Sequence, residues 1–204
     1  MRINKKKFIY LISPNKIYSQ FYHDLNQVLR TGKVALFQLR LKKYSLKQKI
    51  VIGKKIQQIC KKNNIKFIVN DDPILSKTLN ADGCHLGQKD MNIKNARKII
   101  GNKIIGVTCH NSIKLAKAAI KENADYIAFG AFFSTTTKKV KFKADIKILN
   151  KIKKLTKTPI VAIGGINFDN YKKLLLNNAN LLAISSYVWN NKKYKPLETI
   201  EKLK

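Results

Sequence analysis

Eight short apolar runs recur along the chain, and each is separated from the next by a stretch of different periodicity. The runs are Phe8–Ser13, Ala35–Leu41, Phe67–Asn70, Gly83–Leu86, Ile104–Thr108, Tyr126–Ala131, Ile160–Ile163 and Leu181–Ser185. Several are continuous rather than alternating, the pattern of strands covered on both faces. The intervening stretches carry helical spacing. Ser45-Leu-Lys-Gln48 reads as a capping box, followed by Leu46, Ile50, Gly53, Ile56 and Cys60 on one face. Ile146, Leu149, Ile152 and Leu155 recur every third residue, and Pro159 then marks an exit.

A repeated connector strengthens the alternation. Asn80-Ala-Asp-Gly83, Asn123-Ala-Asp-Tyr126 and Asn178-Ala-Asn-Leu181 each stand just before an apolar run, at every second unit. Asn and Asp suit such turns because they tolerate left-handed backbone and hydrogen-bond locally. Strand–helix units of about 25 residues, eight times over, predict an α/β chain folded as a single (β/α)8 TIM barrel spanning residues 1–204. A doubly wound open sheet is the alternative. If it bound a dinucleotide it should carry a Gly-rich loop after its first strand, but Ser13-Pro14-Asn15 has no glycine.

Charge enters as a question about partners. There are 42 Lys and Arg against 11 Asp and Glu, a net charge of +31. Arg2, Arg30, Arg40 and Arg97 are the only arginines, and lysine is spread along the whole chain. Nucleic-acid sites favour arginine and aromatic stacking platforms, so this distribution argues against nucleic acid and for a solvated surface. Cys60, Cys84 and Cys109 have neither zinc nor disulfide spacing. The N-terminal apolar run is too short for a signal segment, and no run reaches membrane-span length. A cytoplasmic protein, without a membrane partner, is the expectation.

In such a barrel the chemistry lies at the C-terminal ends of the strands. Strand 2 ends Gln38-Leu-Arg40-Leu-Lys42, and period two turns Gln38, Arg40 and Lys42 to one side. Asp71, Asp72 and Asp90 follow strands 3 and 4, so three of few acids fall just past adjacent strands. Such carboxylates suit Mg²⁺, which takes one or two of them and substrate phosphates besides. Asp72-Pro73 also reads as a helix N-cap. Asp82 and Asp125 precede their strands and belong to the opposite, structural face. Asn111 or Ser112 reads as a cap after strand 5, and His110 as an acid–base group or a packing residue. Ser134 to Lys139 offers hydroxyls and lysines. Gly164-Gly165 lets backbone N–H groups approach an anion, beside a helix start.

These residues, in order, resemble the thiamine phosphate synthase family. The resemblance rests on Gln38-Leu-Arg40-Leu-Lys42, Asn70-Asp71-Asp72, Ala81-Asp82-Gly83-Cys-His85-Leu-Gly87-Gln88-Lys-Asp90, Gly106-Val-Thr108-Cys-His110, Thr135-Thr-Thr137-Lys138, Gly164-Gly165-Ile166 and Ile184-Ser185-Ser186. It implies a (β/α)8 barrel that joins a hydroxymethylpyrimidine diphosphate to a thiazole phosphate and releases pyrophosphate, with Mg²⁺ as cofactor. By position, Asp71 and Asp90 match the metal ligands, and Arg40, Lys42, Thr108 and Lys138 the pyrophosphate contacts. Gln38 and Asn70 match the aminopyrimidine contacts; Thr135, Thr137, Gly165, Ile184 and Ser185 match the thiazole phosphate side. The family's mechanism is dissociative. The implied partners are the two small substrates, and a homo-oligomer is compatible. Leu41, Ser134 and Thr136 depart from the family's usual residues. Two rivals stand beside this reading. One is a related thiazole tautomerase, an isomerase whose histidine near the end of strand 5 would be His110. The other is a nucleic-acid binder driven by net charge.

Overall fold

The computed structural model describes residues 7–134 and 142–204. Eight parallel strands close into a barrel in sequence order: β1 (Ile9–Ile12), β2 (Val34–Leu39), β3 (Lys66–Asn70), β4 (Gly83–Leu86), β5 (Ile104–His110), β6 (Tyr126–Gly130), β7 (Ile160–Ile163) and β8 (Leu181–Ile184). Around them lie α1 (Phe21–Arg30), α2 (Leu46–Lys62), α3 (Pro73–Thr78), α4 (Ile93–Ile100), α5 (Ile113–Lys121), α6 (Lys147–Lys153), α7 (Tyr171–Leu176), α8 (Ser186–Trp189) and α9 (Pro196–Lys202). Each expected run forms a strand, with ends shifted by a residue or two. None of these helices is long and apolar enough to cross a membrane.

The strand period of two divides the core. Leu11, Phe37, Phe67, Ile127, Phe129 and Leu182 face outward into the layer between strands and helices. Tyr10, Leu36, Ile68, Tyr126, Ala128, Val161, Leu181 and Ala183 fill the barrel interior. Two tyrosines in so narrow a space need small neighbours. Gly106 of β5 supplies one, because a Cβ there would run into the Tyr126 ring.

The repeated connector does two jobs at the N-terminal end of the barrel. Asn80, Asn123 and Asn178 adopt φ of 45°, 60° and 72°, the left-handed turn that Asn tolerates. Two residues later, Asp82, Asp125 and Asn180 clamp a strand start. Asp82 donates its N–H to the Phe67 carbonyl at 2.8 Å and accepts the Phe67 N–H at 2.9 Å. Asp125 does the same to Ile105, and Asn180 to Ile160. Lys66 pairs with Asp82 at 2.8 Å and Arg97 with Asp125 at 3.1 Å. These two carboxylates are structural, as expected.

Ser45 and Gln48 form the capping box, Asp72 caps α3 through the Leu75 N–H, and Ser112, rather than Asn111, caps α5. Two apolar positions depart from the periodic reading. Leu46 and Leu155 are exposed, at 60% and 55%, because each stands at a helix end beyond the packed face. The three cysteines are buried and free, and burial holds the Cys84 and Cys109 thiols up at about 12.

Candidate active site

The C-terminal ends of the strands gather the expected polar residues, and the barrel interior supplies more. Gln38, inward on β2 and 2% exposed, donates from Nε2 to the Tyr10 hydroxyl at 2.7 Å. The Tyr10 and Tyr126 hydroxyls share a hydrogen bond of 2.7 Å. Tyr126 reaches His85 Nδ1 at 3.0 Å, and His85 Nε2 meets the Thr108 hydroxyl at 2.8 Å. Burial drives the His85 imidazole down to about 4, with the Asp71 charge opposing, so it is neutral at pH 7. Burial likewise raises both phenols well above the ordinary tyrosine value.

Above this floor sits a charged rim. Arg40 follows β2 and is held from three directions. Its N–H donates to the Ser13 hydroxyl at 2.9 Å, that hydroxyl donates to the Arg40 carbonyl at 3.4 Å, and its Nη1 donates to Asn15 Oδ1 at 3.2 Å. Asp71 follows β3 in a left-handed turn, φ 65°, with its N–H on the His85 carbonyl at 2.8 Å. Its carboxylate pairs with Lys42 at 3.1 Å. Asp90, on the loop after β4, accepts the Gly87 N–H at 2.6 Å. Desolvation raises the Asp90 carboxyl pKa, and the neighbouring Asp71 carboxyl raises it further through a hydrogen bond and like charge. Asp71 and Asp90 therefore face one another. Among the described residues no third His, Cys, Asp or Glu joins them into a metal cluster. Asn70, at the end of β3, lines a cavity of about 370 Å³ with Lys42, Asp71, Lys49, Leu39 and Met91.

A second cavity, of about 510 Å³, opens beyond β7 and β8 between Ser134, Gly165, Asn167, Ser186, Asn190 and Lys192. Gly164 and Gly165 have φ of 95° and 66°, and a Cβ on either would strike the chain after β6. The following helix does not start at the glycines as expected. It begins at Tyr171, after a turn in which Asn170 donates to the Gly165 carbonyl. Ser185 borders this region, but its hydroxyl donates to the Ser13 carbonyl at 3.2 Å and so ties β8 to β1. Ile184 is buried, leaving its backbone as the group within reach of the rim. His110, φ 52°, ends β5 beyond a register irregularity, and its ring lies 4.3 Å from that of Phe142. Thr135, Thr137 and Lys138 lie outside the described residues.

Sequence reasoning missed several members of this site. His85 has no assigned role in the motif reading, although its place two residues after Gly83 puts it inward. Tyr10 and Tyr126 read as ordinary strand residues, and Ser13-Pro14-Asn15 as a loop whose only mark is its lack of glycine. The inward parity of strands 1, 4 and 6 was the available signal.

A profile of the family described as Thiamine monophosphate synthase matches residues 9–188. The chain is 65% identical over 207 residues to a thiamine-phosphate synthase of Pelagibacter ubique, covering 100% of both. It is 40% identical over 189 residues to a thiamine-phosphate synthase of Erythrobacter litoralis, covering 89% of this chain and 87% of that one. Thiamine phosphate pyrophosphorylase from Pyrococcus furiosus superposes with a TM-score of 0.86 at 30% identity, over 98% of this chain and 94% of that one. A 3-hexulose-6-phosphate synthase, at 12% identity and TM-score 0.64, shares the barrel fold alone.

Proposed function

The chain belongs to the thiamine monophosphate synthase family, and we propose a division of labour among its residues on that footing. It is an enzyme of thiamine phosphate synthesis. The reaction joins a hydroxymethylpyrimidine diphosphate to a thiazole phosphate. The bond from the pyrimidine methylene to the diphosphate oxygen breaks, with its electron pair leaving on the oxygen. The thiazole nitrogen then donates its lone pair to the methylene carbon, and pyrophosphate is released. That nitrogen carries no proton to remove, so the chain needs no general base.

The observation that carries this reading is the facing pair Asp71 and Asp90, set beside Lys42 and Arg40. Two neighbouring hard carboxylates, the proton affinity of Asp90 raised by burial and by Asp71 and with Lys42 paired to Asp71, fit a divalent cation such as Mg²⁺. When bound there, Mg²⁺ supplies charge neutralisation to the departing diphosphate. Asp71 and Asp90 would hold it, and two carboxylates leave room for phosphate oxygens. Arg40, fixed by Ser13 and Asn15, is placed to meet the negative charge that grows on the leaving group. Lys42, Thr108 and Lys138 add donors to the same group. Gln38 and Asn70 bind the aminopyrimidine. Thr135, Thr137, Gly165, Ile184 and Ser185 serve the thiazole phosphate, and Ser186 and Lys192 line the same cavity as Gly165.

The thiazole-tautomerase alternative lacks comparable support. The relatives at 65% and 40% identity are named as synthases, and an isomerase has no use for the Asp71, Asp90 and Arg40 set. We take residues 1–204 as one barrel domain acting in the cytoplasm on small substrates, without nucleic acid. The test mixes protein, both substrates and Mg²⁺, with and without chelator, and measures thiamine phosphate. Product is expected only with the metal. Asp90→Asn should lose both the product and the Mg²⁺-induced rise in melting temperature. Equal rates in chelator would sink the metal assignment, and no product from folded protein would sink the reaction.

A further inference from the structure

We propose that Gln38, Tyr10, Tyr126, His85 and Thr108 form a directional hydrogen-bond relay, through which the pyrimidine bound at Gln38 sets the Thr108 hydroxyl as a donor to the diphosphate. The inference rests on the functional reading above, which places the pyrimidine at Gln38 and the diphosphate at Thr108.

The direction follows from donor counting. An amide nitrogen only donates, so the Tyr10 oxygen accepts from Gln38 Nε2. The Tyr10 hydrogen then goes to its other partner, the Tyr126 oxygen. Tyr126 turns its own hydrogen to His85 Nδ1, which therefore carries none. The imidazole proton sits on Nε2 and is given to Thr108 Oγ1. The Thr108 hydroxyl, having accepted, keeps its own hydrogen free for the rim. Rotating the Gln38 amide reverses every link. Tyr10 would donate to Oε1, His85 would donate to Tyr126, and Thr108 would have to give its hydrogen to Nε2. One amide orientation thus decides, four hydrogen bonds away, whether Thr108 can donate to a phosphate oxygen.

The aminopyrimidine selects the productive orientation. Its exocyclic amino group donates, so it calls for Gln38 Oε1 at the ligand and Nε2 at Tyr10. Oε1 makes no hydrogen bond among the described residues. The links between are sealed: Tyr10, Gln38 and Tyr126 are at most 2% exposed. Burial strengthens such bonds and denies them water as a substitute partner. The rings are set by packing, with Tyr10 edge-on to Tyr126 at 88° and His85 stacked on Tyr126 at 15°. Tyr10, Tyr126 and His85 are accordingly positioning residues; none of them needs to touch substrate.

The test is a double-mutant cycle on kcat, with Mg²⁺ and both substrates saturating. Tyr126→Phe keeps the ring and cuts two links. It is expected to lower kcat about tenfold, the scale of one lost neutral hydrogen bond, with KM for the pyrimidine diphosphate changed less than about threefold. In a Thr108→Ala background the same change should cost less than about twofold, because the hydroxyl it orients is gone. Thr108→Ser should restore the sensitivity. Tyr10→Phe cuts the chain one link earlier and must repeat the pattern, which covers misfolding of either variant. Multiplicative losses in the double variants would mean packing alone and would overturn the relay. An unchanged kcat in Thr108→Ala would overturn it by removing the diphosphate contact. Absence of wild-type product would instead remove the functional reading beneath it.

Discussion

The neutral His85 gives this protein a calculable acid sensitivity. In the unfolded chain a histidine takes up its proton near pH 6.5, whereas the buried imidazole refuses it until about 4. Between those values the unfolded state binds more protons, so folded-state stability falls as pH drops from about 6.5 to about 4 and levels off below. At about 1.4 kcal/mol for each tenfold change in proton affinity, this one site removes about 3 kcal/mol across the interval. For a chain of this size that is about 6–12 °C in melting temperature. Stability in acid sums over every titrating group, so the measurement is a difference. His85→Gln keeps an amide near the position of Nε2, facing Thr108, and cannot be protonated. Wild type and variant would be unfolded in urea at pH 7, 6, 5 and 4. At pH 7 the variant should be the less stable, and the gap should close by about 3 kcal/mol by pH 4. A gap that stays constant from pH 7 to pH 4 would refute the reasoning, since it would mean that His85 titrates alike in both states.

Three further outcomes follow from the same geometry. Arg40→Ala should lower kcat about 10²–10³-fold, the size of one lost electrostatic contact to a developing anion, and a loss under about threefold would remove Arg40 from that role. Arg97→Ala, at the opposite end of the barrel, frees Asp125 and the Gly101 and Asn123 carbonyls. It should cost about 1–3 kcal/mol in urea unfolding while kcat stays within about twofold, because nothing it touches reaches the rim. Gly106→Ala pushes a methyl into the Tyr126 ring. It should cost about 1–3 kcal/mol by overpacking and also depress kcat as Tyr126→Phe does; an unaffected kcat would show that Tyr126 is free to shift.

Much of the architecture is a local property. The barrel needs eight strand–helix units, and strand parity and helical spacing are written within each unit. So are the caps at Ser45, Asp72 and Ser112, which depend on contacts three residues apart. The connector could be recognised as a turn from Asn and Asp alone, and the left-handed φ of Asn80, Asn123 and Asn178 follows from that chemistry. Its second job could not be seen locally. Asp82 and Asp125 bond to Phe67 and Ile105, a whole unit away in sequence.

The rim divides in the same way. Arg40, Lys42, Asp71 and Asp90 are legible in the sequence because each lies just past a strand, and Gln38 because it points inward near the end of β2; strand ends converge in any such barrel. Closure of the sheet decided the rest. It brings Tyr10 against Tyr126, 116 residues apart, and buries both with His85, so that an ordinary histidine becomes a neutral link between two hydroxyls. It also ties the Ser185 hydroxyl to the Ser13 carbonyl, across the seam between the last strand and the first. Which side chains point inward is set by a period of two along one strand. Which inward side chains meet, and which of them lose water, depends on register across strands far apart in the chain, and only the folded barrel holds that information.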